Sequence, residues 1–238
     1  MADPEVVPYC GQAPLPSTIW SSWNLDPALL AVLVAAALAV LALRPGQARA
    51  AWGLGIAALA LAFVSPLCAL GSALFSARSF NHLVILGIAA PFLAQALPAP
   101  RGSRIALPLA ASTIVLWAWH WPAAYAAAYE STAVYWALQI ALLASFVWFW
   151  RVVLAPATSP VAALLAIGAG AGQMGLLGAL LTFAPRALYE VHGLASLPWG
   201  LDPLSDQQLG GLLMWVPAFF LYGAFALRTG RRLAEAAA

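Results

Sequence analysis

Residues 151–190 read RVVLAPATSPVAALLAIGAGAGQMGLLGALLTFAPRALYE. An arginine opens the stretch, the run from Val161 to Pro185 carries no charged side chain, and Glu190 closes it. A helix that crosses a bilayer needs about 20 mostly apolar residues, and this run is long enough. A basic gap on one side of an apolar run and an acidic gap on the other is a pattern that repeats along the chain. Arg44, Arg49, Arg101, Arg104, Arg151, Arg228, Arg231 and Arg232 fall in every second gap and at the C-terminus. Asp3, Glu5, Asp26, Glu130, Glu190, Asp202 and Asp206 fall in the other gaps and the N-terminal tail. Arg78 and Arg186 depart from the pattern, and there is no lysine. Cytoplasmic loops of membrane proteins carry the excess of basic residues, so the N-terminus is expected outside and the C-terminus in the cytoplasm.

Seven runs reach or approach spanning length: Asp26–Leu43, Ala50–Leu70, Phe80–Leu97, Ile105–Pro122, Val134–Leu154, Val161–Pro185 and Asp206–Arg228. An odd number puts the two ends on opposite sides, as the charges independently require. The expected fold is all-α: a polytopic integral membrane protein of seven transmembrane helices. It is a single domain over residues 1–238, with an external tail (1–25) and a cytoplasmic tail (229–238). Only 8% of the 238 residues are charged and mean hydropathy is +0.90, where a soluble domain carries roughly 25% charged residues. Membrane lipid is therefore the principal solvent. The net charge of +2 is a cytoplasmic collar of arginines rather than a nucleic-acid footprint. The first 27 residues lack Lys and Arg, so they are not a cleavable signal peptide.

Glycines at 168, 170, 172, 175 and 178 place the sixth run inside the bundle, because small residues let helices approach closely in lipid. Pro91 and Pro108 are expected to bend their spans. Ser205 and Gln208 have the spacing of a capping box. Trp20, Trp23, Trp119, Trp121, Trp199 and Trp215 read as interface anchors.

Residues able to bind a metal gather on the external side: His82, His120 and His192, the pair Cys10 and Cys68, and Met214 two turns into the last run. For each there is a structural alternative. His82 can be hydrogen-bonded to a neighbouring helix, and His120 can be one polar residue in a tryptophan belt. His192 lies in a connection and reads as structural. The cysteines face an oxidising compartment, where a disulfide or a soft Cu(I) pair is allowed, and no special pairing is the favoured reading. No phosphate-binding glycine loop, activated nucleophile or paired carboxylate is visible, so an enzyme is not expected. Span interiors are almost free of ionisable residues, which argues against ion transport.

Four strings then carry a resemblance: WNLDP (23–27), SPL (65–67), WHWP (119–122) and PLSDQQLGGLLMW (203–215). In order and spacing they resemble the CtaG family, assembly factors of caa3-type cytochrome c oxidase, and the DQQ-to-MW string is the most specific. The resemblance implies a seven-span protein of the bacterial inner membrane. Its partners would be haem–copper oxidase subunits, and its role oxidase maturation, with copper supplied from the periplasmic side. The family shows His-Met-x-x-His on the third span, where this chain has Arg78 and Ser79 ahead of His82. It shows His-x-x-x-His on the fifth, where this chain has Tyr135 and Gln139.

A reduced Cu(I) site is therefore expected from His82, His120 and Met214, with Asp206 and Gln207 ordering the surroundings. Arg78, one turn from His82, would weaken it by repulsion. Two other readings stand beside it. One is a metal-free accessory or structural subunit of the oxidase. The other is a b-type cytochrome with His82 and His120 as axial haem ligands.

Overall fold

The computed structural model describes residues 7–42, 46–100 and 104–237. Asp3, Glu5, Arg44 and Arg101 of the charge pattern lie outside the described residues. Among the described residues there are helices and turns and no strand. The α-helices are α1 (Pro27–Leu38), α2 (Gln47–Phe63), α3 (Pro66–Ala73), α4 (Phe75–Val84), α5 (Ala90–Ala96), α6 (Ala106–His120), α7 (Pro122–Glu130), α8 (Thr132–Val153), α9 (Pro160–Thr182) and α10 (Pro203–Ala237). A π-turn over Ile85–Ala89 joins α4 and α5 into one rod, Phe75–Ala96.

Among the described residues, four helices are long and apolar enough to cross a membrane: Phe75–Ala96, α8, α9 and α10. A fifth is added if α2 and α3 form one span bent by 44°. The other two expected runs form shorter apolar helices, Pro27–Leu41 and Ala106–His120. The chain itself supplies the interruptions. Pro66 cannot continue α2, so α3 starts afresh with Ser65 as its cap, its hydroxyl accepting from the Leu67 amide at 3.2 Å. Pro122 likewise forces Trp121 into an extended conformation and ends α6 at His120.

Contacts sort the helix ends into two groups. At one end, here the tail end, lie residues 7–25, the α2–α3 break, the starts of α4, α8 and α10 and the end of α6. Asn24 N–H donates to Val64 O, the Phe75 amide to Asp206, and Tyr189 Oη to His120 O. At the other, the arginine end, Arg151 reaches Pro98 O, Arg228 reaches Gln95 and Arg232 reaches Pro156 O. Successive rods thus run in alternating directions. Leu165, Phe220, Leu227 and Ile140 are between 61% and 71% exposed, the outward apolar surface expected where lipid is the solvent.

The centre of the bundle is the Phe75–Ala96 rod, in which Ile85, Leu86, Ala89 and Ala90 have no exposed surface. The sixth run, expected inside, is peripheral. One face of α9 packs on α10: a Cβ added at Gly178 would lie 2.7 Å from the Gly211 carbonyl oxygen. Gly168 and Gly172 meet nothing within 4 Å, so two of the five glycines of the pattern face outward. Pro91 follows the π-turn, whose wider hydrogen-bond spacing makes room for a residue without an N–H. Pro108 lies in the first turn of α6, where an N–H has no helical acceptor anyway, so it bends nothing. The capping box is not formed. Asp202 caps α10 instead, accepting from the Leu204 and Ser205 amides at 3.0 Å each, with Pro203 as the first helical residue. Trp119 is buried, not an interface anchor, whereas Trp20 and Trp121 are 82% and 67% exposed.

Candidate functional site

The site is organised by a helix junction. Leu74 is extended between α3 and α4, leaving the last carbonyls of α3 and the first amides of α4 to find partners elsewhere. Asp206, at the head of α10, accepts from the Phe75 amide (2.6 Å), the Ser76 amide (3.1 Å) and the Ser76 hydroxyl. A carboxylate at the positive end of a helix is favourable, so this distant residue acts as the cap that α4 lacks locally. At the opposite pole, Arg78 donates to Gly71 O (3.2 Å), and Tyr129 Oη and His192 Nδ1 bond Ser72 O (2.9 and 3.2 Å). A guanidinium at the C-terminal end of α3 complements its dipole. Arg78 is only 3% exposed, and its remaining partners are the Tyr135 hydroxyl at 3.3 Å and the Cys10 sulfur at 3.9 Å.

One turn beyond Arg78, His82 is buried with neither ring nitrogen hydrogen-bonded. His120, from α6, stands with its ring centroid 5.4 Å away and its plane nearly perpendicular. Its Nδ1 is paired with Leu116 O at 2.8 Å, which leaves Nε2 buried and unpartnered. Trp119 packs edge-on against His82 at 4.6 Å, and its Nε1 and the Ser79 hydroxyl are unpartnered as well. Buried polar groups are rarely left without a partner. Here the unsatisfied atoms include both histidines from two different helices. Metal–nitrogen bonds of roughly 2 Å place a ring centroid about 3 Å from its ion, so a 5.4 Å separation is short enough for one ion shared at a bent angle. Linear axial ligation of a haem needs roughly 6 Å between centroids and a free layer for the macrocycle. Rings 5.4 Å apart in edge-on contact do not provide it.

Met214 is 1% exposed on α10. Gly210 packs on Phe75 and Ser79, and Leu221 on Gly87, so Met214 falls between them at the level of His82. Gln207 is buried and faces a different task. Its Oε1 accepts from the Leu188 amide at 2.6 Å and its Nε2 approaches Leu181 O and Arg186 O at 3.4 Å, tying down the connection after α9. Asp206 and Gln207 therefore position helices and loop rather than a ring nitrogen. Of the two positions of the fifth run, Tyr135 is engaged by Arg78, while Gln139, one turn on, is buried with both polar atoms unpartnered. Among the described residues no group of three or more His, Cys, Asp and Glu is placed to hold a metal.

Cys10 and Cys68 form a disulfide across 58 residues, which removes the Cu(I)-pair and unpaired alternatives. It fastens the tail over Arg78. Tyr9 stacks on Tyr135 at 5.1 Å, and Trp199 Nε1 donates to Pro14 O at 3.1 Å. His192 is structural: its Nε2 pairs with Tyr125 Oη at 2.7 Å and its Nδ1 with Ser72 O. Burial, with a smaller contribution from the charge of Arg78, brings its pKa down to about 4. Between that value and the unfolded value near 6.5, the unfolded chain binds a proton that the folded chain refuses. Stability therefore falls as pH drops through this window. Going from pH 7 to pH 5 should cost about 2 kcal/mol through His192. In detergent-solubilised His192→Gln the drop in melting temperature between these pH values should be smaller than in the parent chain. An equal drop would refute the assignment.

Sequence reading did not single out Phe75, Tyr125 and Tyr189, which pack against His120 and Trp119, or Tyr129 beside them. Phe75 stacks on Tyr189 at 4.2 Å and Tyr125 lies 5.5 Å from Trp119. The one available signal was Tyr125 and Tyr129 at four-residue spacing just after WHWP, which places both on one helix face.

Residues 28–236 match the family model described as cytochrome c oxidase caa3 assembly factor (Caa3_CtaG). No curated protein and no solved structure matches.

Proposed function

Because the chain belongs to the family of cytochrome c oxidase caa3 assembly factors, we propose that it serves the biogenesis of a haem–copper oxidase by holding Cu(I) transiently between His82 and His120, with Met214 as a soft third donor. The observation that carries this reading is the pair of buried imidazoles from α4 and α6, close together and with three of four ring nitrogens unpartnered. Cu(I) accepts two or three imidazole and thioether donors, so the donor set fits the ion. The role is delivery rather than catalysis, and copper is cargo. Asp206 sets the height of α4, and with it His82, against α10.

The protein crosses the bacterial inner membrane seven times in this account. The short helices α1 and α6 complete the set, with the tail end periplasmic and the arginine end cytoplasmic. Supporting this, α10 continues past the apolar stretch into Arg228, Arg231 and Arg232, and Arg104 and Arg151 lie at the same end. The disulfide fits a tail end in an oxidising compartment.

One observation favours a second reading, a metal-free accessory subunit. Arg78 and Tyr135, at positions where the resemblance expects imidazoles, are bonded to each other, which puts a guanidinium where a cation ligand would stand. Complementation separates the two. In a strain lacking the chain, the wild type should restore copper to the oxidase catalytic subunit. His82→Ala with His120→Ala should yield oxidase that retains haem but is short of copper. Full copper with the double variant would establish the metal-free reading.

A further inference from the structure

The arginine end holds a second polar site that the account above does not use. Between α2, α5, α8 and α10 a pocket is lined by Gln47, Gln95, Arg151 and Arg228, opened by the small residues Ala51 and Ala155. No carboxylate lines it, so its two guanidinium groups are not balanced there. Among the described residues each is anchored through one nitrogen. Arg151 Nη2 donates to Pro98 O and Arg228 Nη1 to Gln95 Oε1, both at 2.7 Å. Arg151 Nε is buried with no partner. A guanidinium carries five N–H donors, and a buried one left unpaired costs free energy. A second, independent feature is the start of α2. Gln47 and Ala48 line the pocket as the first residues of a 17-residue helix whose cap residue, Gly46, has no side chain to accept from them. First-turn amides and the positive end of the helix dipole attract anions.

We infer that this pocket binds a phosphate group, of the class carried by anionic phospholipid head groups at a membrane surface. Two arginines lining one pocket supply the forked donors that match phosphate oxygens, and the helix start adds neutral donors. The location fits the lipid source: the pocket sits where apolar helices α2, α5 and α8 begin or end, at the depth of head groups. Bound phosphate would tie four helices together at the arginine end.

The test is thermal unfolding of the full chain in detergent, titrated with phosphatidylglycerol, phosphatidylcholine or inorganic phosphate. Phosphatidylglycerol should raise the melting temperature and phosphatidylcholine should not. Arg228→Gln, at an exposed position, and Arg151→Gln should each weaken the effect about tenfold, the loss expected for a charge-assisted hydrogen bond. Arg151→Lys keeps the charge and guards against misfolding; it should weaken the effect less. Arg231→Gln, outside the pocket, should behave as the parent. Equal weakening by Arg231→Gln would mean diffuse attraction and overturn the site, as would equal stabilisation by phosphatidylcholine. Stabilisation by inorganic phosphate at matched concentration would keep the phosphate site but overturn the lipid as its source.

Discussion

Replacing Cys10 and Cys68 by serine is expected to lower stability by about 4 kcal/mol, the chain-entropy value for closing a loop of this size. The closed loop spans 58 residues, from the tail to the start of α3. Few other contacts hold the tail as firmly: Tyr9 lies against Tyr135 and Trp136, Pro14 accepts from Trp199, and Asn24 pairs with Val64. Each is a single stacking or hydrogen-bond contact of about 1 kcal/mol. Without the disulfide, the tail should therefore leave the bundle end. The melting temperature in detergent should fall, and adding reductant to the parent chain should reproduce most of the loss. Limited proteolysis should then cut between residues 7 and 25. An unchanged melting temperature with a protected tail would show that the aromatic contacts suffice.

The second large effect is expected at Asp206. Alanine there removes the acceptor of two backbone amides and one hydroxyl, all buried. Unpaired buried donors cost about 1–3 kcal/mol each, so Asp206→Ala should lose about 3 kcal/mol or more. Asn keeps one oxygen and should cost about half as much, through the lost charge at the helix start. The informative readout is Cu(I) affinity, because Asp206 touches neither ring. If it positions His82 through α4, affinity should fall in Asp206→Ala and recover in part with Asn. Reduced stability with unchanged affinity would separate the cap from the site.

How far the sequence reaches is clearest at particular residues. The alternating charges and apolar runs by themselves place His82, His120 and Met214 at one end, because a rod of known pitch has few ways to connect opposite faces of a membrane. The break at Leu74 is invisible, since Leu-Phe has no glycine or proline. Its cause is tertiary, with Asp206 on one side and Arg78 on the other. The two cysteines permit a disulfide without requiring it, as spacing alone does not bring residues 10 and 68 together. The glycines of α9 mislead because a small-residue pattern marks a close contact, here with Gly211 of α10, and says nothing of whether the helix is central. Asp202 displaces Ser205 as the cap because Pro203 fits the first helical position. His120 was legible as a residue at a helix end but not as a buried one, since its burial depends on Phe75 and Tyr189 closing over the end of α6.

The central claim is that His82 and His120 hold copper through their unpartnered ring nitrogens. It is tested most directly by anaerobic Cu(I) titration of the detergent-purified chain against a competing chelator, beside the His82→Ala, His120→Ala variant and Met214→Leu. The account predicts about one tightly held Cu(I) per chain, abolished in the double variant and weakened about tenfold or more without the thioether. Binding that is absent in the parent chain, or undiminished in the folded double variant, would contradict it.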